Sequence, residues 1–168
     1  MSKIRSIFLP VGKEPEVKEF NNSHEAFDAE TKFIKEYKKC EFTDHLSIGY
    51  SPSVIDENSS NEDKCKLIIR FDDFGAINGN VPNRQITIDS FSQKLNSMIY
   101  GNMTVAKMES GAEDCSDFTD KEIDFFTEMF SLKNAKVVPK KYHNLISKLD
   151  DALLKLFLGI PISEADLN

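Results

Sequence analysis

Apolar residues recur at every second position early in the chain and at every third or fourth position soon after. Residues 3–9 alternate basic or polar with apolar side chains before running into Ile7-Phe8-Leu9, the pattern of a strand buried on at least one face. Two prolines and a glycine then fall within Pro10-Val11-Gly12-Lys13-Glu14-Pro15, and residues 16–20 read as a short returning strand, so the chain opens on a β-hairpin. Asn22, with Glu25 three residues later, supplies an N-cap and a box-like partner. Ala26, Phe27, Ala29, Phe33, Ile34 and Tyr37 follow at helical spacing, which predicts a helix over about 23–38.

Phe42, Leu46, Ile48 and Tyr50 share the parity of a strand, leaving Thr43, His45 and Ser47 on its other, exposed face. Residues 51–63 are rich in Ser, Asn, Asp and Glu and are expected to form a mobile loop. Strand character resumes over 65–71. Residues 72–84 hold Gly75, Gly79, Pro82 and three asparagines, the composition of a turn-rich connection. A short strand is expected over 85–88. Asp89 then caps a short helix carrying Phe91, Leu95 and Met98, and a further strand through Ile99, Met103, Val105 and Met108 is interrupted near Gly101-Asn102.

Thr119 and Glu122 form a T-x-x-E capping box ahead of the stripe Ile123, Phe126, Met129 and Phe130. A last helix starts at Pro139 and runs through Tyr142, Leu145, Ile146, Leu149, Leu153, Leu156 and Phe157 to Gly159. Strands early and helices late predict an α+β fold: a mostly antiparallel sheet, an N-terminal β-hairpin, one early helix and two C-terminal helices. The expected organisation is one α+β domain over 1–132, with a helical extension over 133–168 packed on it.

Composition narrows the classes of function. With 168 residues, 40% hydrophobic and 29% charged, the chain is in the range of folded globular domains. It has no apolar run long enough for a membrane span and its first ten residues do not make a signal peptide, so a soluble, cytoplasmic protein is expected. Cys40, Cys65 and Cys115 lack the spacing of a zinc site or a disulfide framework, and no metal or cofactor is expected. A net charge of -7 disfavours nucleic acid as a partner. The charge is also unevenly spread. Residues 109–128 hold eight acids against Lys121, whereas residues 129–149 hold five lysines and no acid. Acids at the start of the second helix favour its dipole, and the same acidic face is a candidate docking surface for a basic protein.

Templates for nucleophilic, phosphate-loop, zincin, dinucleotide and calcium chemistry are absent from the sequence. Cys40 and His45 are the one close nucleophile–base pair, but they span a helix end and a strand start. Asp72 and Asp73, just past an apolar strand, are candidates for a metal or acid–base pair, although neighbouring acids at such a junction are more often turn formers that bond their own backbone. Asn83 and Arg84, stiffened by Val81-Pro82, are candidates for anion recognition, with Arg84 pairing to Asp72 or Asp73 as the structural alternative. Asp114, Asp117 and Asp120 are the candidate contacts of the acidic segment.

Taken in order, several short motifs resemble a bacterial and phage domain of unknown function found in phages, plasmids and other mobile elements. They are Gly12-Lys13-Glu14-Pro15-Glu16-Val17, the helix after Asn22, Pro82-Asn83-Arg84, Ile99-Tyr100-Gly101 and Phe118-Thr119-Asp120-Lys121-Glu122-Ile123. The resemblance spans about residues 3–130 and brings no catalytic residues with it. It implies a small α+β domain in a setting of conflict with host defences. The expectation is therefore a non-enzymatic binding protein whose partner is a host or phage protein. The alternatives are a nucleotide or other small-anion binder using the 72–84 segment, and a metal-dependent hydrolase or nuclease built on Asp72 and Asp73. Self-association through the last helix is a further expectation.

Overall fold

A computed structural model describes residues 3–36, 43–59, 64–72, 82–88, 95–134 and 136–137. The opening hairpin pairs β1 (Ile4–Leu9) with β2 (Glu16–Phe20), and the turn between them is closed by Lys13 N donating to Pro10 O across Gly12 at φ +70°. Helix α1 (Ser23–Glu36) follows, capped as its sequence requires: Asn22 Oδ1 accepts from Glu25 N at 2.9 Å, and Glu25 Oε2 accepts from Asn21 N. Next come β3 (Thr43–Tyr50), a 3-10 turn (Pro52–Val54) and β4 (Cys65–Asp72). Strands β5 (Pro82–Ile88), β6 (Leu95–Tyr100) and β7 (Met103–Glu109) precede α2 (Asp120–Met129) and the two-residue β8 (Lys136–Val137).

The main sheet has the order β2-β1-β7-β4-β3 and is antiparallel throughout. Ile7, Val105, Ile69 and Leu46 form one row across it, and Phe8, Thr104, Arg70 and His45 form the next. Adjacent rows face opposite sides, so the sheet has two distinct faces. The face of Ile7, Leu9, Leu67, Ile69, Met103 and Val105 carries the apolar core and is covered by Phe118, by Ile123 and Phe126 of α2 and by Phe130 just past it. Phe126, with no exposed surface, meets Tyr50 edge-on at 5.5 Å. Helix α1 covers the other face, through Phe33 against Phe8 at 4.5 Å and through the buried Ala26, Glu30 and Ile34. The α+β class, the hairpin, the early helix and the first of the two late helices thus match the sequence pattern. The last expected helix, residues 37–38 and Cys40 lie outside the described residues.

Three expectations are corrected. Of the loop expected over 51–63, residues 51–59 are packed by their own chemistry, with Pro52 buried, Ile55 on the core and Asp56 accepting from Asn58 N, while 60–63 lie outside the described residues. Leu95 and Met98 belong to strand β6 and not to a helix. A helix of two to three turns has little stability of its own, and here Leu95 pairs with Ile88 and Met98 with Gln85. Pro82, Asn83 and Arg84 are part of β5, not of a loop. A bulge falls between Pro82 and Arg84, where β5 pairs with β6 in the second sheet of order β6-β5-β8.

Candidate functional site

Of the seven residues singled out by sequence, Asp117 and Asp120 come together on Arg5, while Asn83 and Asp72 lie elsewhere in the fold. Asn83 has no exposed surface; the bulge turns its side chain inward, where Nδ2 donates to Leu9 O at 2.7 Å and to Gly101 O at 2.8 Å. It stitches the small sheet to the main one. Arg84 is placed by its backbone, opposite Ile99 and Val137. Asp72 is buried at the end of β4 opposite Thr43, and Asp73 lies outside the described residues. Among the described residues, no three of His, Cys, Asp and Glu are grouped so as to hold a metal ion.

The acidic segment divides by role. Asp117 and Asp120 grip Arg5 of β1. Asp117 Oδ1 accepts from Arg5 N at 2.9 Å and from Nε at 3.0 Å, Asp120 Oδ1 accepts from Nη1 at 2.7 Å, and Phe118 O accepts from Nη2. These bonds raise the Arg5 pKa further above its ordinary value, with the Asp117 hydrogen bond as the largest cause. Both acids thus anchor the start of α2 to the sheet. Glu109 at the end of β7 and Glu113 and Asp114 in the turn after it are exposed.

Glu122 performs two tasks. As the third helical residue it completes the capping box, accepting from Thr119 N while Thr119 Oγ1 accepts from Glu122 N. Its carboxylate, with no exposed surface, also accepts from Lys107 Nζ at 2.7 Å and from Tyr50 Oη at 2.5 Å. Burial and the neighbouring Glu122 push the Tyr50 hydroxyl well above its ordinary pKa, so it stays a donor. A second polar cluster lies under α1. Glu30, 2% exposed, sits 3.4 Å from Ser6 Oγ and 3.9 Å from Arg70 Nη1. Burial dominates and pushes the Glu30 carboxyl up to about 7 against the pull of Arg70 and Ser6. Burial likewise pushes the Cys115 thiol up to about 11, with Glu30 adding to it. A thiol so raised is protonated near neutrality and is a poor nucleophile.

These partners left sequence signals. Lys107 shares strand parity with Val105 and Met103, and Glu30 lies four residues from both Ala26 and Ile34, so each charge occupies a core position. Such placements call for a buried counter-charge, whose identity only the fold supplies.

The outer face of α2 differs in kind. Asp120, Asp124 and Glu128 recur at four-residue spacing and are exposed, with Phe125 (37% exposed) beside them. Among the described residues, neither Asp124 nor Glu128 pairs with a lysine or arginine; Glu128 Oε1 accepts from Asn134 Nδ2. Phe125, Met129 and Asn134 complete a groove of about 560 Å³ between these two acids. No helix among the described residues is long and apolar enough to cross a membrane. No family model matches the chain, and neither the curated proteins nor the solved structures give a match.

Proposed function

We propose that this chain is a non-enzymatic binding protein that takes a positively charged protein partner on its acidic exterior, centred on the outer face of α2. The observation that supports the reading is the row Asp120–Asp124–Glu128. Like charges four residues apart destabilise a helix by a few tenths of a kcal/mol per pair, and an acid in the last turn opposes the helix dipole. Asp120 is offset by Arg5 and by its place at the N-terminus, but Asp124 and Glu128 have no such compensation within the helix. A row that lowers its own helix's stability is accounted for when a cationic partner completes it. The exposed Glu109, Glu113 and Asp114 extend the same sign of charge. The mobile-element resemblance suggests a host defence factor as the partner.

Crosslinking of the full chain to proteins of a host lysate tests this. A variant with Asp114→Lys, Asp124→Lys and Glu128→Lys should lose the captured species, whereas Glu16→Lys with Glu19→Lys on β2 should retain it. Equal loss in both variants would reduce the effect to net charge and remove α2 as the contact.

A further inference from the structure

Beneath α1, on the side of the main sheet away from α2, Glu30 is buried without a close donor. Its two oxygens lie 3.4 Å from Ser6 Oγ and 3.9 Å from Arg70 Nη1, and no donor comes nearer among the described residues. Thr104, fully buried beside Arg70 in the same row, has a hydroxyl without a partner. Arg70 directs its donors elsewhere: Nη2 donates to Thr31 Oγ1 at 2.8 Å and to Thr43 Oγ1 at 3.3 Å, and Nη1 reaches Phe27 O at 3.4 Å. The guanidinium carbon also stands 4.1 Å from the centre of the Phe27 ring, a favourable placing of a cation over an aromatic face. Spacings of three and four residues put Phe27, Glu30 and Thr31 on one side of the helix, around Arg70. Phe27, 55% exposed, borders with Thr31, Lys32 and Lys35 a groove of about 550 Å³ on the outside of α1.

We infer that Glu30 is a proton-operated latch on α1: on losing its proton it draws the Arg70 guanidinium off Phe27 and so reshapes the outer groove of the helix. A neutral carboxyl tolerates the sparse bonding seen here, but a buried carboxylate requires donors or a cation at contact distance. Arg70 Nη1 is the nearest cation, and its present bond, to Phe27 O, is long enough to be exchanged. Ser6 Oγ is already turned to the carboxyl, and the unpartnered Thr104 hydroxyl lies on the same face of the sheet. Burial pushes the Glu30 carboxyl up to about 7 against the pull of Arg70 and Ser6, so both forms are populated near neutrality. The sheet turns further charges to this face: Glu16 and Lys18 of β2, His45 of β3, and Lys66 and Asp72 of β4. Asp72 is buried two residues past Arg70, whereas the other four are exposed and act through solvent. After β7, Asp114 is exposed and the neighbouring Cys115 thiol, raised by burial to about 11, keeps its proton near neutrality. On α1 itself His24 and Asp28, 3.4 Å apart, flank Phe27 in solvent. The latch lies opposite α2 and operates whether or not α2 takes a partner.

Carbon and proton NMR of the full chain between about pH 5 and about pH 9 tests it, since the signals of each site report its own titration. In the wild type the Glu30 carboxyl carbon, the Phe27 ring and the Thr31 methyl should share one midpoint at about pH 7. In Glu30→Gln, which keeps the shape and removes the charge, the Phe27 and Thr31 signals should stay flat across the range. Histidine is the other side chain whose ordinary titration falls there, so His24→Gln with His45→Gln should leave the shared midpoint in place. The wild-type carboxyl carbon is read without any substitution, so the result stands even where a variant folds poorly. Three results overturn the inference: a Glu30 carboxyl carbon with no midpoint near neutrality, Phe27 and Thr31 signals that stay flat while it titrates, or a Phe27 midpoint that survives Glu30→Gln.

Discussion

At the scale of single residues, two carboxylates sit where apolar side chains would normally be. Glu30 has a folded-state pKa of about 7, raised mainly by burial, above its ordinary 4.5. A carboxyl whose pKa rises on folding binds its proton more tightly in the native state, so stability falls as pH climbs from 4.5 to 7 and stays lower above it. The full cost is on the order of 3 kcal/mol. Glu30→Gln should therefore melt at a higher temperature than wild type at about pH 8, with the gap closing by about pH 5, as followed by circular dichroism. A gap that does not change with pH would mean that Glu30 is ionised throughout. Glu122 is the opposite case, a buried carboxylate fully met by Lys107, Tyr50 and the Thr119 amide. Lys107→Met leaves that charge without its cation and should cost about 3–5 kcal/mol in urea denaturation. Adding Glu122→Gln should recover part of the loss, a coupling that a double-mutant cycle measures.

Helix α2, at the scale of elements, shows stability and docking pulling in different directions. Its N-terminus is fully capped, and Thr119→Ala should cost about 1 kcal/mol. Further along, Asp124 and Glu128 pair with no lysine or arginine among the described residues. Asp124→Lys would place a cation between Asp120 and Glu128 and should raise the melting temperature slightly, by the equivalent of a few tenths of a kcal/mol, while weakening partner capture. A substitution that improves the helix and harms binding is the signature of a residue retained for contact; loss of stability instead would show that Asp124 has a structural partner. Sequence made this helix legible because both its cap and its stripe are local. It misled at β5 and β6 because Leu95 and Met98 fit a short helical period as well as they fit strand pairing, and the hydrogen bonds to Ile88 and Gln85 come from a segment whose pairing the sequence did not reveal.

Across the whole molecule, Asn83 and Arg5 join pieces far apart in the chain. Asn83 binds carbonyls of Leu9 and Gly101, so Asn83→Ala leaves two acceptors without their donor and should cost about 2 kcal/mol. Amide exchange should then accelerate most where the two sheets meet; uniform acceleration would mean that the sheets do not move as separate units. The sequence by itself determined the alternation that makes the strands two-faced, the helical stripes of α1 and α2, their caps and the hairpin turn, because each of these depends on neighbours within a few positions. The tertiary structure alone decided which of the described polar groups are buried in bonds and which are exposed. Asp117 meets Arg5 from 112 residues away and Glu122 meets Tyr50 from 72, so acids of one continuous run became an anchor, a buried ion pair and an exposed row. Charge along a chain is a local property, but whether a charge is satisfied depends on what folding brings within a few ångströms of it.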